Sequence, residues 1–335
     1  VFPARFHRGQ PVPCGRAGRR GVRAGLGRGQ MGAGQPGRRA RHHRHGDDRR
    51  AAAHPGHAVA AAGRRAGYSE RAERRDYRMT ATLPRFSIIT PSLNQARFIR
   101  QTIESVLSQD YPDIEYIVMD GGSTDSTVEI LHEYSGRLQW ISEKDEGQAD
   151  AINKGIQSAT GELIGFINSD DYLLPGALRI AAERLLEAPE RQWLTGDYVI
   201  IDHQGHPIQP FTTSYKRLYR KLSSPAALAF TNYIAQPSTF WKREVHNEIG
   251  YLDKSLCYTF DYDFWMRLMQ LCRPYCVEIP LSAFRIHSAS KGGSEYESQF
   301  REELEVLQRY NKNQALIRSH KLHNLLIVAA YKVLK

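Results

Sequence analysis

Long apolar runs are missing from this sequence of 335 residues. No window reaches the roughly 18 to 20 consecutive apolar residues that span a bilayer, and the first residues lack the apolar core of a secretory signal peptide. Only four cysteines are present, with neither paired CxxC spacing nor the density of a small disulfide-rich domain. These absences argue against an integral membrane protein and a disulfide scaffold, and they lead us to expect a cytoplasmic protein.

Lysine is absent from residues 1–78. This segment contains 19 arginines and five acidic residues, so its net charge is +14, whereas residues 79–335 contain 27 basic and 31 acidic residues and have a net charge of −4. The basic character of the whole chain, +10, therefore belongs to the first segment alone. The charge of the remaining chain argues against nucleic acid as a partner.

The composition of residues 1–78 predicts disorder. Arginine, glycine, alanine and histidine dominate, and few large aliphatic or β-branched residues are available for a core. Three interpretations fit: a segment translated from a start assigned too early, a functionless tail, or a basic arm for nucleic acid or a membrane surface. Arginine without lysine, followed by Met79 just before the first patterned strand, favours the first of them.

Strands and helices alternate from Phe86 onward. Short apolar runs predict strands, and apolar residues at helical spacing predict helices between them. The predicted strands are Phe86–Thr90, Ile114–Met119, about Leu138–Ile141 and Leu163–Ile167, and the predicted helices lie at about 96–109, 126–134 and 149–159. The pattern predicts an α/β fold with a mostly parallel, doubly wound, Rossmann-like sheet covered by helices on both faces. We expect this domain to occupy residues 84–292 and a helical extension to occupy residues 293–335.

Polar clusters follow three of the predicted strands, at Thr90–Asn94, Asp120–Asp125 and Asn168–Asp171. In doubly wound sheets ligands bind at the carboxyl ends of the strands, so these clusters are expected to meet at one edge. The adjacent carboxylates of Asp170 and Asp171 repel each other unless a cation or hydrogen-bond donors compensate, and Mg²⁺ or Mn²⁺ held with diphosphate oxygens is one such compensation. Each cluster taken alone is more typical of a solvated turn.

Five ordered motifs identify a family resemblance. They are Ile88-Ile-Thr-Pro-Ser-Leu-Asn94, Tyr116-Ile-Val-Met-Asp-Gly-Gly-Ser-Thr-Asp125, Glu146-Gly-Gln-Ala-Asp-Ala-Ile-Asn-Lys-Gly155, Gly161-Glu-Leu-Ile-Gly-Phe-Ile-Asn-Ser-Asp-Asp171 and Phe260-Asp-Tyr-Asp-Phe-Trp-Met-Arg267. Over about 200 residues the chain resembles the family-2 glycosyltransferases, which are inverting enzymes of GT-A fold, here of the type that builds bacterial cell-surface polysaccharide.

The resemblance implies roles for particular residues. It implies a general base at Asp261, and a divalent metal, Mg²⁺ or Mn²⁺, held by Asp171 with His287 as a further ligand. The expected nucleotide contacts are Thr90, Pro91, Asn94, Asp120, Asp150 and Asp170. Asn168 departs from the family pattern, since many members carry aspartate there, and its role stays open.

Structural roles remain open for several of these residues. Asp261 and Asp263 stand near a helix start and are also suited to capping it. Asp150 could cap its own helix, and a single histidine such as His287 is commonly structural. The aromatic pair Phe240-Trp241 either stacks on an acceptor sugar or packs in the core.

The expected reaction is sugar transfer from a nucleotide sugar, with UDP as the nucleotide by family analogy, to the hydroxyl of a glycan or lipid-linked acceptor. Two alternatives are a sugar-phosphate nucleotidylyltransferase and a non-catalytic nucleotide-sugar-binding protein. The first is disfavoured because no Gly-rich, Arg-containing loop follows the first strand. The apolar stretch Leu322–Leu334 either packs on the domain or lies in a membrane interface, so peripheral membrane contact is a further expectation.

Overall fold

A computed structural model describes residues 83–288, 290 and 296–333 of the chain. The segment 1–78 lies outside the described residues, and so does part of the predicted boundary near residue 292. The strands are β1 Phe86–Ser92, β2 Ile114–Asp120, β3 Gln139–Ser142, β4 Leu163–Phe166, β5 Tyr172–Leu173, β6 Trp193–Ile201, β7 Pro207–Ile208, β8 Thr239–Lys242 and β9 Tyr275–Arg285. The α-helices are α1 Ile99–Leu107, α2 Thr127–Glu133, α3 Gln148–Ser158, α4 Ala177–Glu187, α5 Pro210–Leu222, α6 Pro225–Phe230, α7 His246–Ile249, α8 Phe260–Leu271, α9 Tyr296–Tyr310 and α10 Gln314–Val333.

The predicted α/β fold is confirmed, and its first half is parallel as expected. The strands form one sheet in the order β3-β2-β1-β4-β8-β6-β9-β5, with β7 paired to β6. Pairing is parallel from β3 through β4, whereas β8 is antiparallel to both of its neighbours and β5 is antiparallel to β9. The sheet is therefore mixed beyond β4 rather than mostly parallel throughout. The regular alternation of strand and helix ends at β4, so the sequence pattern held no signal for an antiparallel strand inserted there.

Helices cover both faces of the sheet, as predicted. Side chains of successive strand residues point to opposite faces. Ile88 and Val118 pack in one core cluster with residues of α1, α2 and α4, whereas Ile89 and Met119 pack in the other with residues of α3, α6 and α8. The two clusters fix the face of each strand residue, and the parallel pairing of β1 to β4 brings the carboxyl ends of these strands to one edge of the sheet.

The C-terminal helices share the second of these cores. Val306 and Leu307 of α9 and Ile317 of α10 are buried in the same cluster as the aromatic residues of α8. Among the helices of the described residues, none is both long and apolar enough to cross a bilayer.

The start of α2 shows how the loops at this edge are tied together. The Asp125 carboxylate accepts the N–H of Thr127, with Oδ1 3.0 Å away. Its Oδ2 accepts the N–H of Ala96 at 3.1 Å. Asp125 therefore stabilises the start of α2 and also connects the chain after β1 to the chain after β2.

Candidate active site at the strand ends

The loops that follow β1 and β2 are joined through Asn94. This residue has a left-handed backbone, with φ of 54°, a conformation that asparagine tolerates better than most residues. Its N–H donates to Ser123 Oγ at 2.8 Å, and its Oδ1 accepts the N–H of Thr124 at 2.8 Å. Asn94 thus lies exposed at the junction of the two loops, next to the position predicted for the nucleotide.

Asp120 organises the second loop from within. Its carboxylate is buried and accepts the N–H of Ser123 at 2.9 Å and the hydroxyl of Ser142 at 2.7 Å. Gly122 has φ of +82°, and a Cβ on Gly121 would lie 2.6 Å from Asp145 Oδ2. Gly122 is therefore needed for the turn, whereas a side chain at position 121 would require the Asp145 side chain to move. Asp120 is a predicted nucleotide contact, and in this structure its carboxylate is already engaged in holding its own loop.

Thr90 and Pro91 lie within the buried part of β1. The Thr90 hydroxyl is 3.0 Å from the hydroxyl of Tyr116 in the core. Of the residues predicted at the end of this strand, Asn94 is the one that the structure exposes.

The most notable pair at the edge is Asp170 with His287. His287 Nε2 lies 3.0 Å from Asp170 Oδ2, and the side chains are 9% and 17% exposed. Asp170 follows β4 and His287 follows β9, so the sheet brings together residues that are far apart in the sequence. The His287 ring also packs on Phe98, with 4.9 Å between ring centroids. Both side chains are thus held in place while remaining partly accessible.

Asp171 points the other way, into the protein. It is buried, its Oδ1 accepts the N–H of Arg285 at 2.8 Å, and its Oδ2 accepts from the Asn168 amide at 3.1 Å. Burial, and then the charge of Asp170, raise the pKa of Asp171 well above its ordinary value. Of the two adjacent carboxylates it is Asp170, not Asp171, that shares the accessible position with His287.

Asn168 connects three elements, which gives a physical reason for the departure from the family pattern. Its Oδ1 accepts from Gln148 at 2.8 Å, and its Nδ2 donates to Asp171 and to Gln236 Oε1, the latter at 3.2 Å. An ionised aspartate would have no hydrogen to donate to these two acceptors. Gln236 donates in turn to the carbonyl of Phe166 at 2.7 Å.

Arg285 was missed by sequence reasoning. It is buried, and its Nε donates to the Asp170 carbonyl at 2.8 Å while its Nη2 donates to Gln101 Oε1 at 2.6 Å. Its guanidinium also lies over the Phe98 ring, 4.8 Å from the centroid. Arg285 stands two positions before His287, and the family resemblance drew attention to the histidine only. Its role is to hold the turn that carries Asp170.

Asp261 lies in the first turn of α8, beside the same edge of the sheet. The ring of Phe260 is 6.4 Å from that of Phe166, the last residue of β4. Asp261 Oδ1 accepts the N–H of Tyr262 at 2.7 Å. Burial raises the pKa of Asp261 to about 6; the charge of Glu303 also raises it and that of Lys216 lowers it.

Asp263, the other acid of this turn, has a structural role. It is buried, pairs with Arg267 at 2.8 Å and accepts from the Tyr310 hydroxyl at 2.8 Å. Since both of its oxygens are engaged within the fold, Asp261 is the acid of this turn that is available for chemistry.

The approach to Asp261 is fixed by a residue of the C-terminal helices. The Glu302 carboxylate accepts the backbone N–H groups of Cys257, Tyr258 and Thr259 at 3.0, 2.8 and 2.7 Å. These three residues form the chain that leads into α8. Glu302 therefore sets the start of the helix that carries Asp261, a function that nothing in the sequence pattern indicated.

Other predicted site residues are used by the fold. Asp150 is buried and bonds Lys254 at 3.0 Å; although burial raises its pKa, this ammonium and the N–H of Glu146 bring the pKa below the ordinary value. Asn153 is held by the backbone of Leu252 on both its amide atoms. Phe240 and Trp241 are buried in the core, so the alternative of core packing is the one that the structure supports.

The sequence and the fold have recognisable relatives. Residues 87–250 match the family model Glycosyl transferase family 2. An uncharacterized glycosyltransferase of Rickettsia typhi, RT0329, is 28% identical over 207 residues, which cover 62% of this chain and 65% of the relative. This chain thus matches less than two thirds of the length of that curated relative.

Two solved structures share the fold. Staphylococcus aureus TarS 1–349, in complex with UDP-GlcNAc, has a TM-score of 0.52 at 21% identity, covering 67% of this chain and 65% of TarS. The mannosyltransferase PcManGT of Pyrobaculum calidifontis, in complex with GDP-Man and Mn²⁺, has a TM-score of 0.55 at 17% identity, covering 81% of this chain and 85% of PcManGT. At these identities the likeness establishes the fold.

Proposed function

This chain belongs to glycosyl transferase family 2 through its domain at residues 87–250, and we propose that it transfers a sugar from a nucleoside-diphosphate sugar, with inversion, to the hydroxyl of a glycan or glycolipid. UDP is the proposed nucleotide. The TarS complex contains UDP-GlcNAc and the PcManGT complex contains GDP-Man, so nucleotide sugars bind to this fold.

The observation that carries the proposal is the pair of Asp170 and His287 at the strand ends, 3.0 Å apart and partly accessible. A carboxylate oxygen and an imidazole nitrogen together suit Mn²⁺, and the carboxylate alone suits Mg²⁺. Within the described residues, no group of three or more acidic, histidine or cysteine side chains could hold a metal. Two protein ligands leave the remaining positions to diphosphate oxygens and water, as is usual for such ions.

The assignment of roles to the adjacent aspartates follows from this geometry. The sequence assigned the metal to Asp171 and the nucleotide to Asp170; we propose that Asp170 with His287 holds the metal, and that Asp171 positions Asp170 from behind. When bound, a divalent cation neutralises charge on the leaving diphosphate as a Lewis acid. Arg285 and Asn168 keep the two carboxylates in their separate positions.

Asp261 is the proposed general base. In an inverting transfer the acceptor oxygen attacks the anomeric carbon, the bond to the diphosphate breaks, and the hydroxyl proton passes to the base; the requirements parallel those of inverting glycosidases. A pKa of about 6 leaves Asp261 ionised at neutral pH yet more basic than an ordinary aspartate. A base with a pKa near the working pH is the effective one.

The nucleotide is proposed to lie over the loops after β1 and β2, near Thr90, Pro91, Asn94 and Asp120, with Asp150 at the side of α3. Asn94 is the member of this set with an exposed side chain, and its joint with Thr124 gives the surface a fixed shape. Asp120 and Asp150 contribute by holding the loops unless binding frees one of their oxygens.

Calorimetric titration of the full chain with UDP, GDP and dTDP, with and without Mn²⁺, tests the proposal. We expect one nucleotide to bind in a metal-dependent manner. Asp170→Ala should abolish the metal dependence, Asp171→Asn should weaken it less, and Asp110→Ala, which alters an exposed acid paired with Arg179, should not change it. If no nucleotide binds to the folded wild type, the transferase proposal fails and a vestigial site is the remaining explanation.

A further inference from the structure

Exposed apolar side chains are concentrated on two helices. Eleven large hydrophobic residues of the described chain are exposed, and six of them lie on α5 or α10. Single exposed hydrophobic residues are ordinary, but a cluster marks an interaction site. The six are Phe211, Leu218 and Leu222 on α5, and Leu322, Leu325 and Leu326 on α10; Phe211 is the most exposed, at 88%.

The two sets lie side by side. Phe211, Tyr215, Leu218 and Leu222 follow helical spacing along one face of α5. The Tyr215 hydroxyl lies 2.6 Å from His323 Nε2, and the two rings stack with centroids 5.7 Å apart. His323 is next to Leu322 on α10, so the stripes meet at this contact. We call the six residues together the α5–α10 face.

The opposite sides of both helices are anchored in the protein. On α5, Arg220 and Arg217 pair with the buried Asp197 of β6, the former at 2.7 Å. On α10, His320 and Asn324 are buried, and His320 bonds the Phe230 carbonyl at 3.0 Å. Neither helix can therefore turn its exposed leucines inward without breaking buried polar contacts.

Both helices carry positive charge only. Within α5 there are four basic residues and no acidic one, and within α10 there are three basic residues and no acidic one. Two acidic residues from β6 and β9 pair with basic residues of α5, namely Asp197 with Arg217 and Arg220, and Glu278 with Lys221. Lys216 acts in turn on the acidic Asp261 and Glu303, so the positive charge beside the face comes chiefly from Arg318 and Lys321 of α10, which are exposed.

This charge decides between occupants. A second copy of the chain would bring two positive faces together, so like charges would repel it. Residues 1–78, the other candidate occupant within the chain, carry a net charge of +14 and would be repelled as well. An anionic lipid surface offers both the negative charge and the apolar interior that this combination of side chains matches. We propose that the α5–α10 face docks on the surface of an anionic membrane, with its leucines and Phe211 inserted at the level of the headgroups.

Helix α6 connects α5 with the proposed base, which links docking to the acceptor; this part of the inference rests on the proposed function. The Phe230 ring of α6 stacks on Tyr219 of α5 with centroids 5.5 Å apart, and the Leu228 carbonyl of α6 accepts from the hydroxyl of Tyr262, the neighbour of Asp261, at 3.1 Å. Lys216, the neighbour of Tyr215 on α5, is close enough for its charge to act on both Asp261 and Glu303. A lipid-linked acceptor in the membrane would then present its hydroxyl on the side of the site where Asp261 lies.

Vesicle sedimentation of the full chain tests docking without donor or acceptor. We expect binding to vesicles of phosphatidylcholine with phosphatidylglycerol and weaker binding to phosphatidylcholine alone. The triple variant Leu322→Ser/Leu325→Ser/Leu326→Ser and the double variant Phe211→Ser/Leu218→Ser should each lower the partition coefficient about tenfold or more. The matched control Ile141→Ser/Leu186→Ser removes exposed hydrophobic residues from other elements and should bind as the wild type does.

Insertion is measured directly with Phe211→Trp and brominated lipids. We expect stronger fluorescence quenching than in the wild type, whose Trp193, Trp241 and Trp265 are fully buried and whose half-buried Trp140 lies on β3, outside the α5–α10 face. The control Ile141→Trp should show no added quenching. This arm separates the α5–α10 face from the arginine-rich segment 1–78, which can bind anionic lipid by charge but does not place residue 211 in the bilayer.

Three results would overturn the inference: equal vesicle binding by wild type and both variants, no added quenching at position 211, or a concentration-dependent dimer in light scattering that the serine variants abolish. The last would make the face an interface between copies. Nucleotide titration of the same variants keeps the two proposals distinguishable, because a protein that docks but binds no nucleotide contradicts the proposed function alone.

Discussion

Asp261→Asn is expected to stabilise the protein while it strongly slows transfer. Burial raises the pKa of Asp261 from 3.8 to about 6, and a shift of about two units corresponds to about 3 kcal/mol of unfavourable free energy when the folded protein ionises this group. Asparagine keeps an Oδ1 for the N–H of Tyr262 and carries no charge to bury. The variant should therefore gain up to about 3 kcal/mol in the free energy of unfolding at neutral pH.

The pH dependence of this gain has a definite sign. Below the ordinary pKa of 3.8 the carboxyl is protonated in both states, so wild type and variant are equal. As the pH rises, the unfolded state ionises first, and the penalty grows until the folded group ionises near about pH 6. The difference between variant and wild type should thus develop between about pH 4 and 6 and stay constant above that range.

Urea unfolding across this pH range measures the stability, and release of nucleoside diphosphate measures the activity. The rate should fall by about 10²- to 10⁴-fold, as expected for loss of a general base. Asp263→Asn is the matched control: it leaves Arg267 without its buried partner and should destabilise by about 3 to 5 kcal/mol. A less stable Asp261→Asn, or one that transfers sugar at the wild-type rate, would refute the reasoning.

Three further predictions concern the surroundings of Asp261. Glu303→Gln removes a carboxyl whose charge raises the pKa of Asp261, but burial raises the pKa of Glu303 itself to about 7, so the acidic limb of the kcat/KM profile should move only slightly, to lower pH. A limb that moves to higher pH would contradict this. Lys216→Met removes a charge that lowers this pKa, so the same limb should move to higher pH. Glu302→Ala removes the acceptor for the N–H groups of residues 257–259, so kcat should fall about tenfold while the Kd of the nucleotide stays unchanged. Glu302→Gln should recover most of the rate. An equal loss of nucleotide affinity would indicate general disruption of the fold.

The parallel half of the fold was predictable from the sequence. Its strands are short apolar runs that alternate with amphipathic helices, and the carboxyl ends of parallel strands must share an edge. This rule alone placed the clusters after Thr90, Asp120 and Asn168 at one site. The family resemblance, not this rule, added His287, and it paired His287 with Asp171, whereas the structure pairs His287 with Asp170.

The orientation of individual side chains was beyond the sequence. Asp170 and Asp171 are chemically identical neighbours in a turn, and the positions of two donors, the Arg285 N–H and the Asn168 amide, decide that Asp171 is the one turned inward. Contacts across the fold, such as that of Glu302 with the chain before α8, depend on how helices pack and leave no periodic signal. Phe240 and Trp241 were ambiguous for a related reason, since aromatic residues serve cores and sugar sites alike.

Three observations connect the C-terminal helices with the proposed active site. Glu302 of α9 fixes the chain that leads to Asp261, and its neighbour Glu303 contributes to the raised pKa of that base. Tyr215 joins α5 to α10 at the residue beside Lys216, whose charge acts on the same base. A change in the position of α9 or α10 would thus alter both the proton acceptor and the surface proposed to receive the acceptor lipid. If membrane docking shifts these helices, anionic vesicles should change kcat for a water-soluble acceptor, whereas a rate that is indifferent to vesicles would restrict the face to tethering.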